Sequence, residues 1–174
     1  VTDQLTGLLN RRSFQQRSLE ALSLAEHNNL SVSMIALDLD HFKPVNDQFG
    51  HEMGDKVLVR TAEILTINLR QSDSIFRFGG DEFTIIAVGQ PSTEALNAGL
   101  QRLLSALHQP MLFDGEEIQI GASIGVAHYP QDGDNPDDLL HKADKALYQA
   151  KQQGRYQVVH FSDSENSPSG AQPT

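Results

Sequence analysis

The chain has 174 residues, 39% of them hydrophobic, which suits one globular domain that buries a core by packing alone. It contains no cysteine, so disulfides and thiolate metal sites are excluded and a metal would have to be held by oxygen or imidazole. Its 13 basic and 23 acidic residues give a formal charge of −10, a balance that repels a polynucleotide backbone and argues against a nucleic-acid polymer as partner.

No apolar run approaches the roughly 20 residues needed to span a bilayer, and nothing at the N-terminus reads as a signal peptide. No membrane insertion is expected, and the chain is read as cytoplasmic. It opens at Val1 rather than Met, with structured signals almost at once, and so reads as a domain cut from a longer protein.

From Asn10 as N-cap, Phe14, Ser18, Leu22 and Ala25 recur at helical spacing until His27, Asn28 and Asn29. Val32 to Leu39 is a nearly continuous apolar run, the pattern of a strand buried on both faces, and it delivers Asp38 and Asp40 to the sheet edge. Leu58, Ala62, Leu65 and Leu69 mark a second helix, with Arg70 expected in its last turn. Two strands follow, Ser74 to Phe78 and Asp81 to Val88, joined through Gly79 and Gly80 as a hairpin. After Pro91 and Ser92, Leu96, Leu100, Leu103 and Leu107 repeat the helical spacing.

Ile118, Ile120, Ala122, Ile124 and Val126 alternate with other residues and predict one long strand. Asn135 and Pro136 then supply an N-cap and a first helical proline, Leu139, Ala143, Ala146 and Ala150 carry the helix, and Gly154 stops it. A short strand from Tyr156 to Phe161 closes the pattern. The expected domain is 1–161, with a disordered tail over 162–174 rich in Ser, Asn, Pro and Gly. A hairpin together with helices between the other strands makes the class α+β, with a mixed central sheet flanked by helices.

Acidic residues at the end of the first strand, Asp38 and Asp40, and at the start of the third, Asp81 and Glu82, meet if those strands are neighbours. Clustered carboxylates without cysteine favour a hard cation, most often magnesium with a nucleoside triphosphate. Glycines 79 and 80 beside them let backbone approach a ligand closely. Taken singly, each acidic pair is better explained as a turn; the combination is what points to a cation.

Gly79-Gly80-Asp81-Glu82-Phe83 is the signature of the GGDEF family of diguanylate cyclases, and the resemblance covers nearly the whole chain. It runs through Asp3-Gln4-Leu5-Thr6-Gly7-Leu8-Leu9-Asn10-Arg11-Arg12, Asp38-Leu39-Asp40-His41-Phe42-Lys43, Asn46-Asp47-Gln48-Phe49-Gly50-His51 and Gly54-Asp55. Ser123-Ile124-Gly125-Val126 and the stretch from Ala143-Asp144-Lys145 to Lys151 complete it. The resemblance implies a largely antiparallel sheet like that of nucleotidyl cyclases and polymerase palms, with a ferredoxin-like core. It implies that two GTP molecules are condensed into cyclic di-GMP.

By the same resemblance Asp38, the carbonyl of Leu39, Asp81 and Glu82 bind magnesium, with manganese as an alternative, and Glu82 also serves as a base. Asn46 and Asp55 read the guanine edge; their local alternatives are a turn residue and a helix N-terminal charge. Lys43, Lys151, Arg155 and the amides of His41 and Phe42 contact phosphates, beside Gly79 and Gly80. Lys43, Asp81 and Glu82 form the catalytic set. Arg70 and Asp73, placed before residues 74–78, match an inhibitory product site, where Arg suits guanine or phosphate. Tyr156 stands where the family usually has Asn, and Asp81 is one of two acids found at its position.

One domain offers one GTP site, while the product joins two guanosines, so the resemblance implies a two-fold homodimer, usually enforced by an upstream sensory or dimerisation domain. Two rivals stand beside this reading. One is a catalytically silent domain that binds cyclic di-GMP or GTP; the other is a polymerase-like palm, disfavoured by the acidic charge.

Overall fold

The computed structural model describes residues 1–165. The first helix, α1 (Arg11–Asn28), starts where the Asn10 side chain accepts the Ser13 amide and ends at Asn29 in the left-handed region, φ 53°. It buries Phe14, Ser18, Leu22 and Ala25, the predicted stripe. Strand β1 (Val32–Asp40) is buried along its whole length because it lies at the centre of the sheet, which explains its unbroken apolar run.

Helix α2 (Phe42–Phe49) was not legible as a helix: it is short, buries only Phe42 and Val45, and carries Pro44 in its first turn. Helix α3 (His51–Asn68) buries Val57, Leu58, Ala62 and Leu65. It ends one residue before Leu69, whose extended backbone (φ −106°, ψ 161°) carries Arg70 out of the last turn where the sequence pattern had placed it.

Strands β2 (Ser74–Gly79) and β3 (Glu82–Val88) form the expected hairpin. Gly79 itself pairs with Glu82, so the connection is Gly80-Asp81 rather than Gly79-Gly80. Both glycines have positive φ, 142° and 55°, which permits so tight a reversal. Helix α4 (Thr93–His108) follows, capped by the Ser92 hydroxyl.

The long strand expected from Ile118 onward starts instead at Gly121, and Ile118 ends a separate hairpin. A small hairpin, β4 (Met111–Phe113) and β5 (Glu116–Ile118), precedes β6 (Gly121–Tyr129). Asp114 and Gly115 turn that hairpin with positive φ at both residues, the chemistry of an Asp-Gly turn. Helix α5 (Pro136–Gln152), β7 (Val158–His160) and α6 (Phe161–Glu165) complete the described residues. Residues 162–165 are thus helical where a disordered tail was expected, and 166–174 lie outside the described residues.

The sheet order is β2-β3-β1-β6-β7, antiparallel except for the β6–β7 pair. The class is α+β with a mixed sheet, as expected. Alternate residues of β1 enter two cores: Ile35, Leu37 and Leu39 pack with α3 and α4 residues such as Leu65 and Leu103, while Met34 and Ala36 pack with Phe14 and Ala143 from α1 and α5. Helix α5 lies unusually close to β6. A Cβ built on Gly125 would collide with the Leu147 nitrogen and the Ala143 carbonyl oxygen, both backbone atoms that cannot swing aside.

Gly125→Ala should therefore destabilise the fold by about 1–3 kcal/mol or more, since overpacking against backbone must move a helix. Urea denaturation measures this; an unchanged midpoint would mean that α5 shifts freely on the sheet.

Candidate active site

The antiparallel register of β1 and β3 sets Asp38 opposite Glu82, and the Leu39 amide donates to the Asp81 carbonyl at 3.3 Å. Asp38, Leu39, Asp81 and Glu82 thereby come together at one end of the hairpin, as the sequence led us to expect. Across the same face, Lys151 Nζ from the last turn of α5 donates to Asp38 Oδ2. Asp38 Oδ1 is buried and has no hydrogen-bond partner.

Withdrawal from water raises the Asp81 and Glu82 carboxyls above their ordinary values, and the charge of Asp38 raises both further. Asp144, on α5, lines a cleft together with Arg11, Asp38, Phe78 and Glu82. Desolvation, then Glu82, then Asp38, push its carboxyl up to about 6. Like charges held this close favour a compensating cation.

Among the described residues no three His, Asp or Glu side chains are gathered as a ready-made ion cage. The donor chemistry nonetheless fits a hard divalent cation. Asp38 keeps one buried oxygen without a partner, its charge raises the Asp81 and Glu82 carboxyls, and a lysine ammonium neutralises its other oxygen.

At the end of β1 the chain reverses through His41 in the left-handed region, φ 64°, into α2, whose N-terminus has no side-chain cap. The amides of His41 and Phe42 lie at this turn, and Lys43 stands exposed on the first helical turn. Asn46 packs against Gly54: a Cβ there would overlap Asn46 Oδ1, so glycine is required beneath that amide. Asp55 is the next residue, exposed on α3, so the two expected base-reading groups are neighbours.

Asp40 does not join the carboxylates as the sequence suggested. It points to Ser123 and to the chain after α5, including Arg155. Arg70 and Asp73 lie at the far end of β2, separated from the signature by residues 74–78, about 17 Å of strand. Asp73 Oδ2 accepts the Arg70 amide at 2.9 Å, and Arg70 Nη1 donates to the Val88 carbonyl at 3.4 Å. Burial raises the Asp73 carboxyl, and its Oδ1 is buried without a partner in a cleft also lined by Gln90 and Arg102.

Two contributors were not singled out from sequence. Arg77 donates to Asp3 Oδ1 at 2.8 Å and to the Gly80 carbonyl at 3.0 Å, tying the N-terminal segment to the hairpin turn. Asp144 sits seven residues before Lys151, two helical turns along the same face, and that spacing was its readable signal.

The family described as "Diguanylate cyclase, GGDEF domain" matches residues 1–157. An uncharacterized signaling protein of Caulobacter vibrioides is 45% identical over 156 residues, 88% of this chain and 19% of its own length. Diguanylate cyclase TpbB of Pseudomonas aeruginosa is 39% identical over 155 residues, 88% of this chain and 35% of its own. The chain thus spans well under half the length of both relatives. The crystal structure of the GGDEF domain of DgcB from Caulobacter crescentus in complex with c-di-GMP matches with a TM-score of 0.84 at 28% identity, covering 92% of this chain and 95% of that one.

Glu82→Gln removes one of the two charges that raise Asp144. The Asp144 carboxyl should then titrate below about 6 yet above the ordinary 3.8, because desolvation remains. Carboxyl-carbon NMR titration checks this; an unmoved midpoint would remove Glu82 as a cause and leave desolvation and Asp38.

Proposed function

Because the chain belongs to the GGDEF diguanylate cyclase family, we propose that it condenses two molecules of GTP into cyclic di-GMP with release of pyrophosphate. The observation that carries this reading is the convergence of Asp38, Asp81 and Glu82 opposite Lys151 at the paired ends of β1 and β3. Such a set suits phosphoryl transfer, where positioning and charge neutralisation supply most of the catalysis.

In this reading Asn46 and Asp55 hydrogen-bond the guanine edge, and a site built to satisfy those groups rejects adenine. Lys43, Lys151, Arg155 and the amides of His41 and Phe42 hold the phosphates, with Gly79 and Gly80 leaving room for them. Magnesium, with manganese as an alternative, held by Asp38, the Leu39 carbonyl, Asp81 and Glu82, supplies acidification of the 3′-hydroxyl and neutralisation at the α-phosphate. In the same reading Glu82 also serves as the base for the hydroxyl proton.

A single site holds one GTP, and the product needs two reciprocal attacks, so two copies face each other as a two-fold homodimer. The described residues contain no helix long and apolar enough to cross a membrane. We place the reaction in the cytoplasm, with an upstream sensory or dimerisation domain of the parent chain controlling how often the copies meet.

Product control is assigned to Arg70 and Asp73. Asp73 keeps a buried oxygen without a partner, and Arg70 lines the same cleft, so the two supply an acceptor and a donor for a guanine edge. The same observation favours a second reading, a catalytically silent domain that binds cyclic di-GMP, because that cleft is independent of the carboxylates.

Concentrated protein incubated with GTP and magnesium should yield cyclic di-GMP by chromatography, with none from ATP or in EDTA. Replacing Asp81 and Glu82 together by Ala should lower the rate by about 100-fold or more. No product from the unaltered chain, even fused to a dimerising helix, together with calorimetric binding of cyclic di-GMP, would select the silent reading. Arg70→Ala should raise the inhibitory concentration of product by about tenfold or more, the worth of one charge-assisted pair. Unchanged inhibition would remove Arg70 from the product site.

A further inference from the structure

Asp40 is the charged residue of β1 that the proposed chemistry leaves unused, and its side chain is only 3% exposed. Three donors converge on it. Oδ1 accepts Ser123 Oγ at 2.7 Å and Arg155 Nη1 at 3.4 Å, and Oδ2 accepts the Tyr156 amide at 3.1 Å. Ser123 Oγ also lies 3.2 Å from the Tyr156 amide and shares it. A carboxylate is tolerated in such a place only when donors fill its lone pairs. Two of the three come from one short segment.

That segment is the chain leaving α5, and its backbone is unusual. Gly154, Arg155 and Tyr156 have φ of 113°, 65° and 50° in succession. Gly154 closes the helix with a paired cap, the Arg155 amide reaching the Ala150 carbonyl and the Gly154 amide the Lys151 carbonyl. For Arg and Tyr the left-handed region brings Cβ against the backbone, so the surroundings must hold them there. Asp40 and Ser123 supply that hold at the Tyr156 amide.

The geometry extends further. Asp38 and Asp40, two apart on one face of β1, meet Lys151 and Arg155, four apart at the end of α5. Fixing the Tyr156 amide fixes the turn that carries Arg155 directly beyond the last turn of α5, where Lys151 sits. We infer that Asp40, together with Ser123, is a positioning residue that presets Arg155 and the α5 end for a triphosphate, an inference that rests on the reading of Lys151 and Arg155 as phosphate contacts. Asp40 touches no substrate; it removes ordering that binding would otherwise have to supply.

Calorimetry with the 174-residue chain tests this using 3′-deoxy-GTP, which lacks the reacting hydroxyl, and GMP, which lacks the outer phosphates. Asp40→Ala and Ser123→Ala should each weaken 3′-deoxy-GTP by roughly five- to tenfold while leaving GMP within about twofold. Asp40→Asn, which keeps an acceptor for the Tyr156 amide, should recover most of the loss. On an Arg155→Ala background, itself weakened for 3′-deoxy-GTP, Asp40→Ala should add little.

If Arg155→Ala leaves 3′-deoxy-GTP binding unchanged, the phosphate-contact reading fails and the inference falls with it. If Arg155→Ala weakens binding but Asp40→Ala and Ser123→Ala do not, the inference alone is overturned. Equal weakening of both ligands would make Asp40 merely structural and would also overturn it. Should Asp40→Ala fail to fold, Ser123→Ala and Asp40→Asn carry the same comparison.

Discussion

The pairing of Asp38 on β1 with Glu82 on β3 is the constraint around which the molecule is arranged. An antiparallel register places the two acids across from one another, and the Gly80-Asp81 turn adds a third beside them. Such a cluster is unfavourable by itself, because each charge raises the cost of ionising the next. The fold accepts it by anchoring the participating strand deeply: β1 is buried end to end between two apolar cores. The local cost of charge is offset by distributed packing.

The ammonium that pairs directly with Asp38 is brought to the cluster from α5, while Arg77 of the hairpin acts on Asp81. The close approach of α5 to β6 at Gly125 sets the height of the whole helix on the sheet, and so the height of Lys151 above Asp38. Asp144 sits on the same helix two turns earlier and lines the cleft with Asp38 and Glu82, adding a third acid there. One helix therefore supplies both signs. Its packing against a glycine in the sheet ties a feature of the core to the electrostatics of the site.

Elements with long, regular burial were legible in the sequence. The stripes of α1, α4 and α5 and the apolar run of β1 follow directly from periodicity, and the caps at Asn10, Ser92 and Asn135 are what their side chains would predict. What escaped notice was short or lay beyond regular elements. Helix α2 buries too few residues to show a period, and the β4–β5 hairpin has strands of only three residues, too short to alternate visibly, although Asp114-Gly115 signalled its turn. Arg70 was placed in a helix because Leu69 continued the leucine spacing, but a residue can be apolar and at the right interval and still be extended.

The same distinction separates Asp38 from Asp40. In sequence they are equivalent acids two apart on a strand, both facing the same side. What distinguishes them is the neighbour across β6 and the chain after α5: Ser123 and the Tyr156 amide surround Asp40, whereas Asp38 keeps an oxygen without a partner. A carboxylate whose lone pairs are filled has little capacity left for an ion, while one with a buried, unfilled oxygen is suited to receive one. Residue type and spacing propose both as ligands; only the satisfaction of their hydrogen bonds divides them, and that depends on residues more than 80 positions away in the chain.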